Sequence, residues 1–222
     1  MSHHNLSDQT IFFPHAVTIE DVESIAKLWY DVYLETHASL IPPELMKHRT
    51  LETFRTRVKD PAFMDGTILA MKSVGSHAEN NTEQRLLGFI TLRLEHFEVY
   101  QLFVAREARY QGIAGELLRR AEESFKSFKK NMECTFERNN IDHKDKDKKR
   151  FVVHLHAIVG NHIAKRFYEK NGWKAVKKEL FQAEVVVDEH ENEGKNNQEK
   201  SAHRIKHFPL LCYRIEKELT TE

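Results

Sequence analysis

The chain has 222 residues, enough for one domain with extensions around a single core, and its 34 basic and 34 acidic side chains cancel. With a pI near 7.3 there is no field of one sign to draw nucleic acid or anionic lipid, so neither is expected as a partner. Cys134 and Cys212 stand far apart in no metal-like spacing, no apolar run reaches membrane-spanning length, and residues 1–15 lack the build of a secretory signal; a soluble, cytoplasmic protein with unpaired thiols is expected.

In chain order, residues 1–15 read as a flexible extension, and residues 16–222 as one domain. Ile19–Tyr33 places Val22, Ile25, Ala26, Trp29 and Val32 on one side behind Thr18 and an acidic first turn, a capped amphipathic helix. Ile41-Pro42-Pro43 breaks it, and Leu45–Val58 forms a second, more mixed helical stretch. Thr67–Lys72 and Leu86–Leu94 read as strands joined by a polar turn, and Val99–Val104 as a third. Ile113, Leu117, Leu118, Ala121, Phe125 and Phe128 then recur at helical spacing. A mixed-charge stretch near 137–150 and a polar stretch near 188–207 read as solvated loop insertions. Between and after them come a β-branched strand at Phe151–Val159, a short helix after Asn161, and strands at Ala175–Val187 and Pro209–Ile215. The alternation is that of an α/β domain.

The turn between the third strand and the long helix is the informative segment. Arg109-Tyr-Gln-Gly112-Ile-Ala-Gly115 joins an apolar strand to a helix N-terminus, where unpaired N–H groups and a partial positive charge favour a phosphate, and glycines allow close approach. It is not a dinucleotide fingerprint, because Tyr110 stands where that spacing needs glycine, and no G-x-x-x-x-G-K-[ST] lies nearby. About fifty residues later, Asn161-His-Ile-Ala164-Lys-Arg-Phe167-Tyr168-Glu-Lys-Asn-Gly172-Trp173 reads as a short helix capped by Asn161 and stopped at Asn171-Gly172.

The first segment, with the pattern R-x-x-G-x-A after a strand ending Leu102-Phe103-Val104, resembles motif A of the general-control-related N-acetyltransferase (GNAT) superfamily. The second resembles its motif B, N-x-x-A-x-x-[FL]-Y-x-x-x-G-[FW], at every fixed position. The resemblance implies an α/β GNAT fold over roughly Val17–Glu216: a mixed central sheet flanked by helices and splayed between the strands that precede the two motifs. It also implies acetyl-CoA as co-substrate, without a metal. Backbone groups of Tyr110, Gln111, Gly112, Ile113, Ala114 and Gly115 would hold the pyrophosphate, and Arg109 would add a charge-assisted contact. A bulge in the strand at Leu102, Phe103 and Val104 would free backbone groups for the pantetheine and the thioester carbonyl. Asn161 would contact the cofactor besides capping its helix. Arg106 replaces a frequent proline and Tyr110 a frequent glycine, which bears on the fine geometry of the loop.

Tyr168 is expected at the sulfur of the departing thiolate. A phenol near 10 is a weaker acid than a thiol near 8.5, so hydrogen-bond donation and proton relay suit it better than outright proton transfer. A lysine-like amine near 10.4 must lose a proton before attack, and Glu98, opening the third strand, is the candidate base; its plainer reading, shared with Glu95, is a charge at a strand end. Tyr33, Glu35 and His37, near the end of the first helix, fall where relatives form the substrate pocket. His154 and His156 alternate on one strand and His203 and His207 are four apart, but no third ligand falls at an established metal spacing. The expected function is direct acetyl transfer to a primary amine of a small molecule or peptide, without an acyl-cysteine intermediate. A catalytically inactive CoA-binding protein of the same fold is the alternative; the oligomeric state, a homodimer included, stays open.

Overall fold

The computed structural model describes residues 11–15, 17–75, 82–138, 150–188 and 203–221. Its elements run β1 (Ile11–Phe12), α1 (Asp21–His37), α2 (Pro43–Lys47), α3 (Leu51–Val58), α4 (Pro61–Asp65), β2 (Thr67–Gly75), β3 (Thr82–Arg93), β4 (Glu98–Val104), α5 (Ile113–Arg138), β5 (Arg150–Ile158), α6 (His162–Lys170), β6 (Lys174–Asp188) and β7 (His203–Thr220). They form a mixed seven-stranded sheet in the order β1-β2-β3-β4-β5-β7-β6, antiparallel except where β4 runs parallel to β5.

Alternation along the strands gives the sheet two apolar faces. Val99, Val153, Leu155 and Ala157 face α5 and α6, packing with Ile113, Leu117, Phe125, Tyr168 and Trp173. Leu69, Met71, Phe89 and Phe103 face the other way, onto α1, α3 and α4, where Trp29 is fully buried. Phe54 and Phe63 lie 4.8 and 5.2 Å from the Trp29 ring. The GNAT-type sheet and its flanking helices are thus as expected.

Several local readings change. The expected extension ends in structure: Ile11–Phe12 pairs with Lys72 and Met71, and Pro14 accepts from the Leu69 amide, because Phe12 and Phe13 have apolar faces to cover. Residues 1–10 lie outside the described region. The single helix expected over Leu45–Val58 is two, since Thr50 and Thr53 form a reciprocal capping box that starts α3 afresh. Part of the stretch expected as a polar loop near 188–207 is strand: residues 203–207 continue β7 opposite 184–188, and residues 189–202 lie outside the described region. Strand pairing there overrides a polar sequence because each backbone group finds its ladder partner.

Candidate active site

Where β4 and β5 should run side by side they meet at one register position, Glu98↔His154, with the His154 amide donating to Phe97 O at 2.9 Å. Beyond it they part. β4 follows β3 until Val104 lies opposite Gly88, whereas β5 follows β7 to Ile158. The wedge is the splay anticipated from sequence, open along the edge of Leu102, Phe103 and Val104. The bulge lies earlier than expected: Thr91 pairs with Gln101 and Leu92 with Val99, leaving Tyr100 as the extra residue. Leu102, Phe103 and Val104 themselves stay in regular register with β3.

At the mouth of the wedge the chain turns into α5. Gly112 has φ +81°, and a side chain added there would meet nothing within 4 Å, so the loop leaves open space over the first turn of α5. The N–H groups of Ile113, Ala114 and Gly115 belong to that turn and lack intrahelical acceptors by geometry. Tyr110 also adopts a left-handed backbone, φ +62°, and is fully exposed; the residue expected to turn away from the loop does so at the cost of a conformation that glycine adopts freely. Gln111 donates to Glu107 O at 2.8 Å, closing the turn. The Arg109 guanidinium, expected to serve a phosphate, is instead gripped by both carboxylate oxygens of Glu35 at 2.7 and 2.8 Å. That pair raises the pKa of Arg109 and lowers that of Glu35, so both expected site residues face each other here.

The α6 helix sits beside this loop. Asn161 accepts from the Ala164 amide at 3.0 Å, the N-cap read from sequence. At the other end Asn171 Oδ1 lies 3.9 Å from where a Gly115 Cβ would stand, so the end of motif B lies against the end of the glycine turn. Glu122 on α5 fixes the junction, accepting from Trp173 Nε1 at 2.9 Å and pairing with Lys217 at 2.8 Å. Tyr168 is thereby held in the α5–α6 core, 8% exposed, with its ring against Phe167 and Trp173. Burial pushes its phenol well above the ordinary range, which makes it a poorer proton source than a free tyrosine and keeps it a donor across neutral pH.

On the opposite face, the alternation that buries Val99 and Leu155 turns Glu98, His154 and His156 together. Glu98 is 7% exposed. It accepts from Arg93 at 3.2 Å and faces His156 Nδ1 at 3.4 Å. The second ring nitrogen of His156 meets Glu179 on β6 at 2.8 Å. Burial alone would raise Glu98, but the His156 bond, with Arg93 and His154, holds it below the usual carboxylate range. Glu98 first, then Glu179 against the cost of burial, raises His156 above 6.5. Lys177 and His156 hold Glu179 down to about 2. Donor atoms of Glu98, His154 and His156 lie within 4.8 Å of one another, a spacing open to a cation, although both nitrogens of His156 already face carboxylates.

Further along this face, Tyr33 and His37 stack in parallel at 4.5 Å and His37 approaches the Phe103 ring at 6.0 Å. Burial, followed by the nearby charge of Arg49, lowers His37 to about 4, so it is neutral at pH 7. Two arginines complete the wall: Arg57, over Trp29 at 4.3 Å and donating to the Tyr100 hydroxyl at 2.8 Å, and the buried Arg49 beside Tyr33.

Residues 76–175 match the family model for the acetyltransferase (GNAT) domain. Over this span, just under half of the chain, the sequence resembles GNAT acetyltransferases. The matched span takes in β4, the glycine turn, α5, β5 and α6, the parts that shape the wedge. Among solved structures, PaiA N-acetyltransferase from Thermoplasma acidophilum, in complex with coenzyme A, superposes with a TM-score of 0.52 at 17% identity over 95% of this chain and 99% of that one. PH1933 from Pyrococcus horikoshii OT3 gives 0.52 at 16% over 95% and 99%. These likenesses speak to the GNAT fold. No curated protein matches the sequence. Among the described residues, no helix is long and apolar enough to cross a membrane.

Sequence reading did not single out Arg49, Arg57 or Glu179, which the structure places around this face. No local spacing marks them: Arg49 sits in the turn before α3, and Arg57 and Glu179 meet Tyr100 and His156 across 43 and 23 residues. His156 was visible, as a possible metal ligand, and is in fact clasped by two carboxylates. A charged residue alternating with Leu155 and Ala157 on an otherwise apolar strand was the available signal.

Proposed function

We propose that this protein is an acetyl-CoA-dependent N-acetyltransferase that moves the acetyl group directly to a primary amine of a small molecule or peptide. One observation carries the reading: the wedge between β4 and β5 opens between a glycine turn with free helix N–H groups and a carboxylate–histidine cluster at Glu98. The residues present fit the co-substrate, since Gly112 leaves room where a pyrophosphate would approach and the edge of Leu102–Val104 faces the gap. Acetyl-CoA, when bound, supplies the activated thioester.

The chain's own residues supply the rest. The N–H groups from Tyr110 to Gly115 hold phosphate oxygens at the α5 N-terminus. The backbone of Leu102, Phe103 and Val104 pairs along the wedge and polarises a carbonyl placed there. Glu98, ionised and buried, attracts the ammonium of the acceptor. The proton then passes to the Glu98 carboxylate and on to solvent, while His156, raised above 6.5 between two carboxylates, holds Glu98 in place with a charge-assisted hydrogen bond. Tyr168 donates its hydroxyl hydrogen bond to the sulfur as negative charge develops, from a pocket that keeps it protonated. Asn161, occupied with the Ala164 amide, positions α6 and through it Tyr168.

Initial rates of thiol release, with acetyl-CoA varied at several fixed amine concentrations, test the scheme. Direct transfer gives intersecting double-reciprocal lines; parallel lines would establish a covalent acyl-enzyme and overturn it. Glu98→Gln should lower kcat/KM for the amine by on the order of tenfold or more while acetyl-CoA affinity holds.

A further inference from the structure

Arg49 is 8% exposed, and its Nε has no hydrogen-bond partner. The groups around it are the Tyr33 hydroxyl, Tyr100 and a second guanidinium, Arg57. Neither arginine forms an ion pair with any carboxylate among the described residues; Arg57 is satisfied by the Tyr100 hydroxyl and the face of Trp29, whose own Nε1 is buried without a partner. A buried guanidinium is costly without a counter-charge, and a like charge beside it adds to the cost. Such a wall of donors is completed by an anion, and the planar fork of arginine matches a carboxylate in particular. The row continues from Arg57 through Tyr100 to Arg93, whose guanidinium lies 3.6 Å over the same tyrosine ring and bonds Glu98. One end therefore presents two cations with no carboxylate partner among the described residues, and the other the Glu98–His156–Glu179 cluster.

We propose that the acceptor is an amino-carboxylate, its carboxylate held by Arg49 and Arg57 and its amino group directed to Glu98 and His156. The proposal rests on the acetyltransferase reading and names the substrate class of that site. A polyamine, cationic at both ends, would place an ammonium against the two arginines, and a simple alkylamine would leave them unmatched.

The test uses matched ligands on the full chain: phenylalanine against phenethylamine, leucine against isoamylamine, lysine against cadaverine, and O-phosphoethanolamine against ethanolamine. Thiol release from acetyl-CoA gives kcat/KM, and calorimetry on the CoA-loaded protein gives affinity independently of turnover. The carboxylate member of at least one pair should be favoured by on the order of tenfold or more, the scale of a charge-assisted contact, and Arg57→Gln should shrink that ratio toward one. Arg57 is chosen because it is only half-buried, and the wild-type ratios decide the matter even if the variant folds poorly. Equal use of both members, preference for the decarboxylated amines or cadaverine, or a preference that Arg57→Gln leaves unchanged would each overturn the proposal. So would selection of O-phosphoethanolamine over every amino acid, which would assign the arginines to a phosphate. Turnover without carboxylate preference removes this inference and leaves the acetyltransferase reading; Arg57-dependent carboxylate binding without turnover does the reverse.

Discussion

On the α5 side of the wedge, the groups available to a ligand are main-chain: N–H donors at the start of α5 and the unpaired edge of β4, with one side chain, Tyr168, held in the core behind them. On the α1 side they are side chains, drawn from α1, α3, the turn before α3, β4, β5 and β6. The first arrangement depends on local conformation, a glycine at φ +81° and a helix start, and is insensitive to most side-chain identities. The second depends on charges that are balanced only across long sequence distances. A fold can therefore keep one half constant while the other changes its ligand, and damage to the two halves should be separable.

Gly112→Glu should have the largest effect. It places a carboxylate and a disfavoured left-handed side chain at the mouth of the loop, and acetyl-CoA affinity measured by calorimetry should fall by about a hundredfold or more. Affinity for the amine in the absence of CoA should fall far less; an equal loss would merge the two halves. Tyr168→Phe comes next, lowering kcat by on the order of tenfold with acetyl-CoA affinity nearly unchanged, because one hydrogen bond to developing charge is removed. Full retention of kcat would remove Tyr168 from the mechanism.

His37 provides a smaller, pH-dependent effect. Its folded value of about 4 lies below the ordinary 6.5, so between these values the unfolded chain binds more protons. The neutral buried ring thus stabilises the fold above pH 6.5, and that stability is lost as the pH falls toward 4. The difference in unfolding free energy between wild type and His37→Gln should shift against the wild type by on the order of 1 kcal/mol between pH 7 and pH 5 in denaturant titrations. His156 has the opposite sign: raised above 6.5, it contributes fully below that pH, and its contribution fades as the pH rises through its elevated value. Glu35→Gln should do least. The pair with Arg109 is partly exposed, and breaking it should cost under about 1 kcal/mol of stability and change acetyl-CoA affinity by less than about threefold. A larger loss of affinity would mean that Arg109 acts on the cofactor through this pair.

The same division explains what was legible. Motifs A and B are short, contiguous and dictated by backbone needs, so the left-handed glycine at 112, the Asn161 N-cap and the splay could be read directly from residue order. The Arg109–Glu35 pair could not be read, because the chain near a phosphate loop says nothing about a residue 74 positions away. The strands closest to the wedge were found by their apolar alternation, whereas the β6–β7 ladder extends through a polar stretch whose pairing, not its composition, defines it. Arg49 and Arg57 carry no sequence mark; only the placement of a buried Arg49 beside a half-buried Arg57, neither with a carboxylate partner among the described residues, gives them meaning.

Thiol release from acetyl-CoA across alkylamines, arylamines, polyamines, amino acids and peptides tests the central claim most directly. The account predicts turnover on at least one amine class, abolished by Gly112→Glu. Tight acetyl-CoA binding with no turnover on any amine would contradict it and identify a CoA-binding protein built on an acetyltransferase fold.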